Sequence, residues 1–248
     1  MVKFGIADYG MNVWDGGSFD IEARWEALRA IGYDGIERLS VTSAEEALTK
    51  AARMRKAGMD FATCVAPTPE LSLQWTAGLG KAYQWTSVNG KEFATFCRQV
   101  DHQVAVSARW GVRVGIHNHL GTLVETQPQL EEFLARCPGC GLVLDTAHLA
   151  AAGGDPVDIV RRYGDRLVAV HLKDWLLLKP EIGFDTWWER GRFCGLGAGN
   201  IGLDNIAVMR AVVDSGYHGW VFVEHDTHLQ DPLQDLASSR QYLKNAGY

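Results

Sequence analysis

Four short apolar runs between residues 112 and 224 decide the fold: VRVGIH at 112–117, GLVLD at 141–145, LVAVH at 167–171 and WVFVE at 220–224. Each run is rich in β-branched residues and ends in an imidazole or carboxylate side chain, which predicts a buried strand that gives way to a polar loop. Such side chains can meet only if the strands lie parallel and side by side. A (β/α)8 barrel builds its site at this end of its strands, so the pattern predicts the fold and the position of the site together.

The remainder of the chain alternates strand-like and helix-like segments, as parallel βα units do. We predict eight strands, at residues 3–8, 35–39, 61–66, 82–86, 112–118, 141–145, 167–172 and 220–224. Amphipathic helices are predicted at residues 21–31, 44–57, 92–110, 129–136, 157–163, 206–213 and 233–245. The third unit has a short, glycine-broken helical segment, PELSLQWTAGLG at 69–80. We therefore predict an α/β protein with one domain, a TIM barrel that spans residues 1–248.

The composition limits the classes of partner. A hydrophobic content of 47% predicts a large core, and a net charge of -6 with 24 Lys and Arg residues disfavours a nucleic-acid partner. No apolar run approaches the length of a membrane span, and the first residues lack the pattern of a secretory signal, so we expect a cytoplasmic protein with no membrane partner. A small molecule fits this charge better, and a homo-oligomer remains open.

Two short motifs are interpreted as structural. The CPGC pair at 137–140 follows a helix-like segment and lacks the setting of a redox motif, so we predict a helix-to-strand turn. The GAGNIG stretch at 197–202 matches the dinucleotide fingerprint in letters, but it follows a long loop where the fingerprint requires a strand. We predict that it forms the turn before the next helix.

Two long connections, at 9–18 and 175–200, would lie at the end of the barrel that carries the site. They contain Trp14, Trp187 and Trp188. Aromatic rings at these positions either stack on the apolar face of a sugar or anchor the loops by burial. We predict substrate contact for Trp14 and leave the other two open.

The strand ends supply candidate ligands and catalytic groups. His117 and His119 lie two residues apart in an extended segment, so their side chains point the same way, although one of them could be a hydrogen-bonding neighbour of the other. A carboxylate such as Asp145 at the end of a buried strand is costly unless it is paired or binds a cation. The same reasoning applies to His171, with Lys173 on the same side, and to Glu224.

Four segments carry a resemblance to a known family: HNHLGTLVET at 117–126, LVLDTAHLAAAGGDP at 142–156, YGDRLVAVHLKD at 163–174 and GYHGWVFVEHD at 216–226. They resemble the xylose-isomerase-like TIM-barrel superfamily of sugar isomerases and epimerases, especially its inosose-dehydratase-like branch. The first half is similar only in strand rhythm, at GYDGIERL (32–39). The resemblance implies one divalent ion, often manganese or cobalt, bound by Asp145, His171 and Glu224.

One position departs from the family pattern. Isomerases and epimerases of this family generally have a glutamate at the end of the fifth strand, where it pairs with the glutamate of the last strand for proton transfer, and this chain has His117 there. We predict His117 as the fourth ligand; alternatively, Glu125 in the following loop supplies the carboxylate. Two imidazoles with two carboxylates are compatible with Mn²⁺, Co²⁺, Fe²⁺ or Zn²⁺ and are less typical of Mg²⁺; the resemblance favours Mn²⁺ or Co²⁺ among these.

The chemistry expected of such a site is enolate formation beside a carbonyl that the metal polarises. We predict His119 as the base, Lys173 as the acid or as the group that neutralises an oxyanion, and Glu224 as a ligand with a catalytic role. Substrate contacts are predicted for Trp14, His148 and Glu125. Loss of the β-hydroxyl makes the reaction a dehydration, and return of a proton makes it an isomerisation.

The expected function is therefore a metal-dependent lyase or isomerase of a keto-sugar or keto-cyclitol such as an inosose. A ketose isomerase or 3-epimerase and a lyase of oxidised C-glycosides use the same chemistry. A non-catalytic metal- or sugar-binding barrel is the competing class, in which His117 replaces a lost glutamate. The endonuclease branch of the superfamily is disfavoured by the acidic charge.

Overall fold

The computed structural model of the chain describes residues 2–7, 21–226 and 230–248. Its strands are β1 (Lys3–Ile6), β2 (Gly35–Ser40), β3 (Asp60–Val65), β4 (Tyr83–Trp85), β5 (Arg113–His117), β6 (Gly141–Asp145), β7 (Leu167–Leu172), β8 (Asp174–Leu177), β9 (Gly191–Cys194) and β10 (Trp220–Val223). Its helices are α1 (Ile21–Ile31), α2 (Ala44–Lys56), α3 (Pro69–Gly78), α4 (Phe93–Ala108), α5 (Gln127–Arg136), α6 (Thr146–Ala151), α7 (Pro156–Tyr163), α8 (Trp187–Arg190), α9 (Asn205–Asp214) and α10 (Pro232–Asn245).

The main sheet confirms the predicted barrel. Eight parallel strands follow the order β3-β2-β1-β10-β7-β6-β5-β4, and the strands at the two ends of this order, β3 and β4, also pack against each other. Helices alternate with the strands around the outside, and all eight predicted strands are present with boundaries that differ by at most two residues. In the described residues, no helix is both long and apolar enough to cross a membrane.

The helix of the third unit forms in spite of its glycines because its N-terminus and its inner face are supported. Thr68 accepts a hydrogen bond from the backbone N–H of Leu71, and Pro69 occupies the first turn. Thr76 is fully buried, and its hydroxyl lies 3.2 Å from that of Thr63 on β3. Contacts with the sheet therefore stabilise a helix that the sequence signals only weakly.

The CPGC pair lies at the turn between α5 and β6, as predicted for a helix-to-strand turn. Cys137 and Cys140 are both buried and unpaired with each other. Burial raises the pKa of the Cys140 thiol to about 12 and that of Cys137 further, so neither sulfur is a ready nucleophile near neutral pH.

The long connection after β7 contains structure that the sequence pattern did not predict. Strands β8 and β9 pair antiparallel, with Asp174 opposite Cys194, and α8 lies between them. The hairpin forms because Trp175 and Phe193 are buried together against Ala147 of α6. A predicted loop is thus a hairpin packed on the C-terminal end of the barrel.

The glycine-rich stretch at 197–202 is the turn between β9 and α9, and it surrounds a buried carboxylate. Asp174 accepts hydrogen bonds from the backbone N–H groups of Trp175 and Gly197, at 2.8 and 3.0 Å. A Cβ atom on Gly199 would lie 1.9 Å from Oδ1 of Asp174. Gly199 therefore permits close packing around this side chain.

Substitution of Gly199 with alanine is therefore expected to destabilise the protein by about 1–3 kcal/mol, because the new methyl group displaces the Asp174 carboxylate from its backbone donors. Chemical denaturation measures this change. Gly183→Ala is the matched control in the same connection, since no heavy atom lies within 4 Å of its added Cβ. Equal stability of the two variants would contradict this account of the turn.

Candidate metal and substrate site

Four predicted ligands meet at the C-terminal end of the barrel. His117 ends β5, Asp145 ends β6, His171 lies near the end of β7, and Glu224 follows β10. The sheet register aligns them, because Asp145 pairs with His171 across β6 and β7, and His171 pairs with Phe222 across β7 and β10. One nitrogen or oxygen atom from each of the four lies within 4.8 Å of the others.

Asn118, to which the sequence analysis assigned no role, joins the ends of β5 and β6. Its side-chain amide donates to the backbone oxygen of Asp145 at 2.9 Å and accepts from the backbone N–H of Asp145 at 2.8 Å. Asn118 is fully buried. It therefore holds the backbone between His117 and His119 at a defined position next to Asp145.

Glu37 of β2 is a further site residue that the sequence analysis missed. It is fully buried, and its Oε1 atom accepts hydrogen bonds from the Tyr83 hydroxyl and the Trp85 indole N–H, both at 2.8 Å. The same oxygen lies 3.0 Å from Nε2 of His171. Burial would raise the pKa of Glu37, but His171 and Arg38 hold it below its usual value. A carboxylate inside the apolar run GIERL was the signal that could have identified it.

The contact with Glu37 orients the His171 ring. Because Nε2 donates to the Glu37 carboxylate, Nδ1 faces the site, where it lies 2.6 Å from Oε2 of Glu224. Burial alone would lower the pKa of His171, but the two flanking carboxylates raise it from 6.5 to about 10. In the metal-free protein the ring therefore carries a proton on each nitrogen at neutral pH.

Lys173 is the second cation of the site. Its ammonium group lies 3.3 Å from Oδ2 of Asp145, 3.2 Å from Oε2 of Glu224 and 3.1 Å from Oδ2 of Asp226. The side chain is only 1% exposed. Burial favours the neutral amine, but the three carboxylates raise the pKa of Lys173 above its ordinary value, so it stays protonated. Burial also raises the pKa of Asp226, to about 6.

Three imidazole rings, those of His117, His119 and His148, lie close together at one side of the site. The His117 ring stacks on Trp85 with centroids 4.6 Å apart, and burial lowers the pKa of His117. The His119 ring lies 3.7 Å from that of His148, and its Nδ1 lies 2.6 Å from the Leu120 backbone oxygen. His148 is fully buried and accepts a hydrogen bond from the Leu120 N–H. The structure thus places His148 beneath His119, in contact with protein side chains.

The remaining predicted substrate residues lie at the rim or beyond the described part. Trp187 packs edge-on to the His119 and His148 rings, with centroids 5.8 Å away in both cases, whereas Trp188 is 60% exposed. The Glu125 carboxylate accepts a hydrogen bond from the Gly121 N–H at 2.6 Å, so it serves its own loop, and the ligand group contains His117 in its place. Trp14 and the connection at 9–18 lie outside the described residues.

The group has the character of a divalent-metal site. Atoms bound to one ion at about 2.0–2.2 Å lie within roughly 4.4 Å of each other, so a span of 4.8 Å needs only a small contraction. Among the residues that the structure describes, His117 Nε2 and Asp145 Oδ2 make no hydrogen bond, although they lie 3.5 Å apart. Three carboxylates also share the Lys173 ammonium, which leaves excess negative charge. The donors present therefore fit a metal ion.

The stability of the metal-free protein is expected to fall as the pH rises from about 6.5 to about 9. Folding raises the pKa of His171 from 6.5 to about 10, so the folded state binds this proton more tightly than the unfolded state does. The resulting stabilisation is complete below pH 6.5 and is lost as the pH rises towards the folded-state pKa. Thermal unfolding at a series of pH values measures the effect. His171→Gln should reduce this slope, whereas the control His102→Gln, at an exposed position on α4, should keep it. The same slope in both variants would contradict the assignment to His171.

A cavity of about 530 Å³ opens above the ligand group. Its floor includes His117, Lys173 and Glu224, and its walls include Trp187 and Phe193 of the region that follows β7. The Phe193 ring also lies 4.2 Å from the Lys173 ammonium. Polar, charged groups on the floor and aromatic rings on the wall are typical of sites for polyhydroxylated small molecules.

Comparison with known proteins identifies a matching family and several curated relatives. The model of the family described as xylose isomerase-like TIM barrel matches residues 74–246. The chain is 28% identical over 238 residues to an inosose dehydratase of Lactiplantibacillus plantarum, covering 92% of this chain and 76% of that one. It is 30% identical over 154 residues to the rhizopine catabolism protein MocC of Rhizobium meliloti, covering 59% of this chain and 46% of that one.

Solved structures agree in fold. The probable 3-DHS dehydratase AsbF of Bacillus anthracis superposes with a TM-score of 0.74 at 15% identity, covering 98% of this chain and 99% of that one. An L-ribulose 3-epimerase gives a TM-score of 0.75 at 16% identity, covering 99% of this chain and 94% of that one. At these identities the likeness concerns the barrel architecture.

Proposed function

Because the chain belongs to the xylose isomerase-like TIM-barrel family, we propose that it is a divalent-metal-dependent lyase or isomerase of keto-sugars or keto-cyclitols, with an inosose as the leading substrate. The observation that carries the proposal is the group of four ligand atoms within 4.8 Å at the C-terminal end of the barrel. Relatives named inosose dehydratase support the dehydratase reaction, and fold neighbours include an epimerase.

In this proposal His117, Asp145, His171 and Glu224 would hold the ion, and His171 would offer Nδ1 because its Nε2 donates to Glu37. The mixture of imidazole and carboxylate donors suits Mn²⁺ or Co²⁺. When bound, the ion polarises a substrate carbonyl and acidifies the adjacent C–H bond.

Lys173 serves as the proton donor and as the partner for an oxyanion. Its ammonium remains protonated because three carboxylates surround it, and it lies on the floor of the cavity between Glu224 and Asp226. A substrate oxygen bound there accepts a hydrogen bond from Lys173. In a dehydration, the departing hydroxide leaves as water after it takes a proton from this group.

His119 serves as the base. Its Nδ1–H donates to the Leu120 backbone oxygen, so the lone pair of the neutral ring lies on Nε2, and the side chain lines the cavity. His148 and Trp187 pack against its ring and keep its orientation. Nε2 takes the proton from the carbon next to the carbonyl. Loss of the β-hydroxyl then completes a dehydration. In an isomerisation, His119 returns the proton to the former carbonyl carbon, and the Glu224 carboxylate, whose pKa Lys173 and His171 hold well below its ordinary value, relays the hydroxyl proton to the former carbonyl oxygen.

The test is turnover in D₂O. Metal-stripped protein, with and without Mn²⁺ or Co²⁺, is incubated with a panel of inososes and ketoses, and products are followed by NMR. Metal-dependent loss of water from a substrate supports the lyase reaction, and deuterium incorporation with a rearranged sugar supports the isomerase. Ligand-dependent thermal stabilisation without product would instead favour the non-catalytic binding barrel. Full turnover in metal-free protein would overturn the proposal.

A further inference from the structure

A second cavity adjoins the one above the ligand group. It has a volume of about 700 Å³ and lies between the loop after β4, at residues 86–91, and the loop after β5, at residues 121–124. Cavities of about 300–1,000 Å³ typically enclose ligands of the size of a drug molecule, so this cavity is large enough for such a ligand. A monosaccharide bound at the ligand group would leave this volume unused.

The two cavities share part of their lining. Three side chains, Trp85, His117 and His119, line both of them. Two of the three are the proposed fourth metal ligand and the proposed base. A molecule with its reacting carbonyl at the ligand group can therefore extend past His117 and His119 directly into the second cavity.

The second cavity differs from the first in chemistry. In the first, the described lining includes Lys173, Glu224 and Asp226. In the second, beyond the shared residues, the charged residue of the described lining is Lys91, which is exposed. Beyond the shared residues, the walls combine the apolar side chains of Val88, Phe96, Ile116, Leu123 and Val124 with the uncharged polar groups of Thr86, Asn89 and Thr122. Apolar surface is the larger part, so the cavity suits an uncharged ring, and the polar groups can bind substituents on that ring.

We propose that the second cavity is a subsite for an apolar, ring-sized substituent, so that the substrate is a keto-sugar or keto-cyclitol that carries such a group. The proposal rests on the proposed function for the position of the reacting carbonyl. The second cavity then selects substrates by the part that does not react. The charged cavity binds the polyhydroxylated ring, and the second cavity binds the substituent. Binding of the remote group contributes affinity for a substituted substrate that a free sugar cannot obtain.

The experiment compares probes that share one sugar. Phenyl and methyl β-glucopyranoside are titrated into Mn²⁺-loaded protein by calorimetry. The phenyl glycoside is expected to bind about 10- to 100-fold more tightly than the methyl glycoside, because the ring transfers from water to the apolar cavity. Equal affinity of the two, or no binding of either, would overturn the subsite.

Three variants locate the effect. Leu123→Asp places a charge in the wall and Asn89→Trp fills the cavity from an exposed position, and both should reduce the advantage of the phenyl probe to about twofold or less. The methyl probe should bind these variants as it binds the wild type. Leu48→Asp, at a position 63% exposed on α2, is the control and should keep the full advantage. Since Asn89→Trp alters an exposed position, it keeps the test valid if Leu123→Asp fails to fold.

Failure here is separable from failure of the proposed function. If the panel of inososes and ketoses is turned over with metal while the two glycosides bind equally, the enzyme assignment stands and the subsite is wrong. If the phenyl probe binds selectively and no substrate reacts, the cavity is a binding site and the reaction is wrong. A selective phenyl effect that persists in both wall variants also overturns the subsite, because the ring then binds elsewhere.

Discussion

Asp145→Asn should lower kcat/KM by about a thousandfold or more and should weaken Mn²⁺ binding strongly, while the barrel remains folded. The carboxylate contributes one of the four ligand atoms, and a metal ion that stabilises developing charge is worth several kcal/mol in the transition state. The amide of asparagine can still accept the hydrogen bond that Asp145 receives from the His148 N–H at the start of α6. The fold is therefore expected to tolerate the change.

Metal binding by calorimetry, turnover, and far-UV circular dichroism measure the three parts of this result. Asp155→Asn is the matched control. Asp155 likewise accepts hydrogen bonds from backbone N–H groups at the start of a helix, α7, and it lies outside the ligand group. It should retain metal binding and activity. Wild-type metal affinity in Asp145→Asn would show that the four-residue group is not the metal site.

Lys173→Met should have the largest effect on stability. In the metal-free protein it leaves Asp145, Glu224 and Asp226 facing one another without the ammonium between them, and removal of one partner from a buried ionic group costs about 3–5 kcal/mol. Methionine has a similar length, so the loss is chiefly electrostatic. A bound divalent ion restores positive charge at Asp145 and Glu224. Mn²⁺ is therefore expected to stabilise the variant more than it stabilises the wild type.

The same substitution should reduce kcat by roughly a hundred- to ten-thousandfold in the metal-loaded protein, because the proton donor is absent. Denaturation with and without Mn²⁺, followed by turnover of the loaded variant, separates the two effects. Lys81→Met is the control, because Lys81 pairs with Asp60 at the start of β3, at the end of the barrel away from the ligand group. Its loss should cost about 1 kcal/mol or less and leave kcat unchanged. A fully active Lys173→Met protein would remove Lys173 from the proposed chemistry.

The prediction of the fold from sequence succeeded where local pattern and tertiary environment agree. Strands buried on both faces are continuous apolar runs, so GLVLD and LVAVH were readable as strands, and the residue at the end of each run marked the site. The hairpin of β8 and β9 escaped prediction because its pairing depends on burial of Trp175 and Phe193 against α6. That contact lies outside any local window of sequence.

The residues of the candidate site were also only partly predictable from the sequence. His117, Asp145, His171, Lys173 and Glu224 were identifiable from sequence because an ionisable side chain at the end of a buried strand needs a partner or a cation. The parallel fold predicts that these residues meet, and in the structure ligand atoms of four of them, all except Lys173, lie within 4.8 Å of one another.

The sequence by itself determined the barrel, the end of the barrel that bears the site, and the ionisable residues at the strand ends, because periodicity and the cost of burying charge act locally. Only the tertiary structure decided which atoms face one another. Glu37 of β2 contacts His171, Asn118 accepts a hydrogen bond from the backbone of Asp145, and Trp85 lines the second cavity. These contacts join strands and loops that are far apart in the chain. Their distances follow from the closure and register of the sheet, which no local stretch of residues specifies.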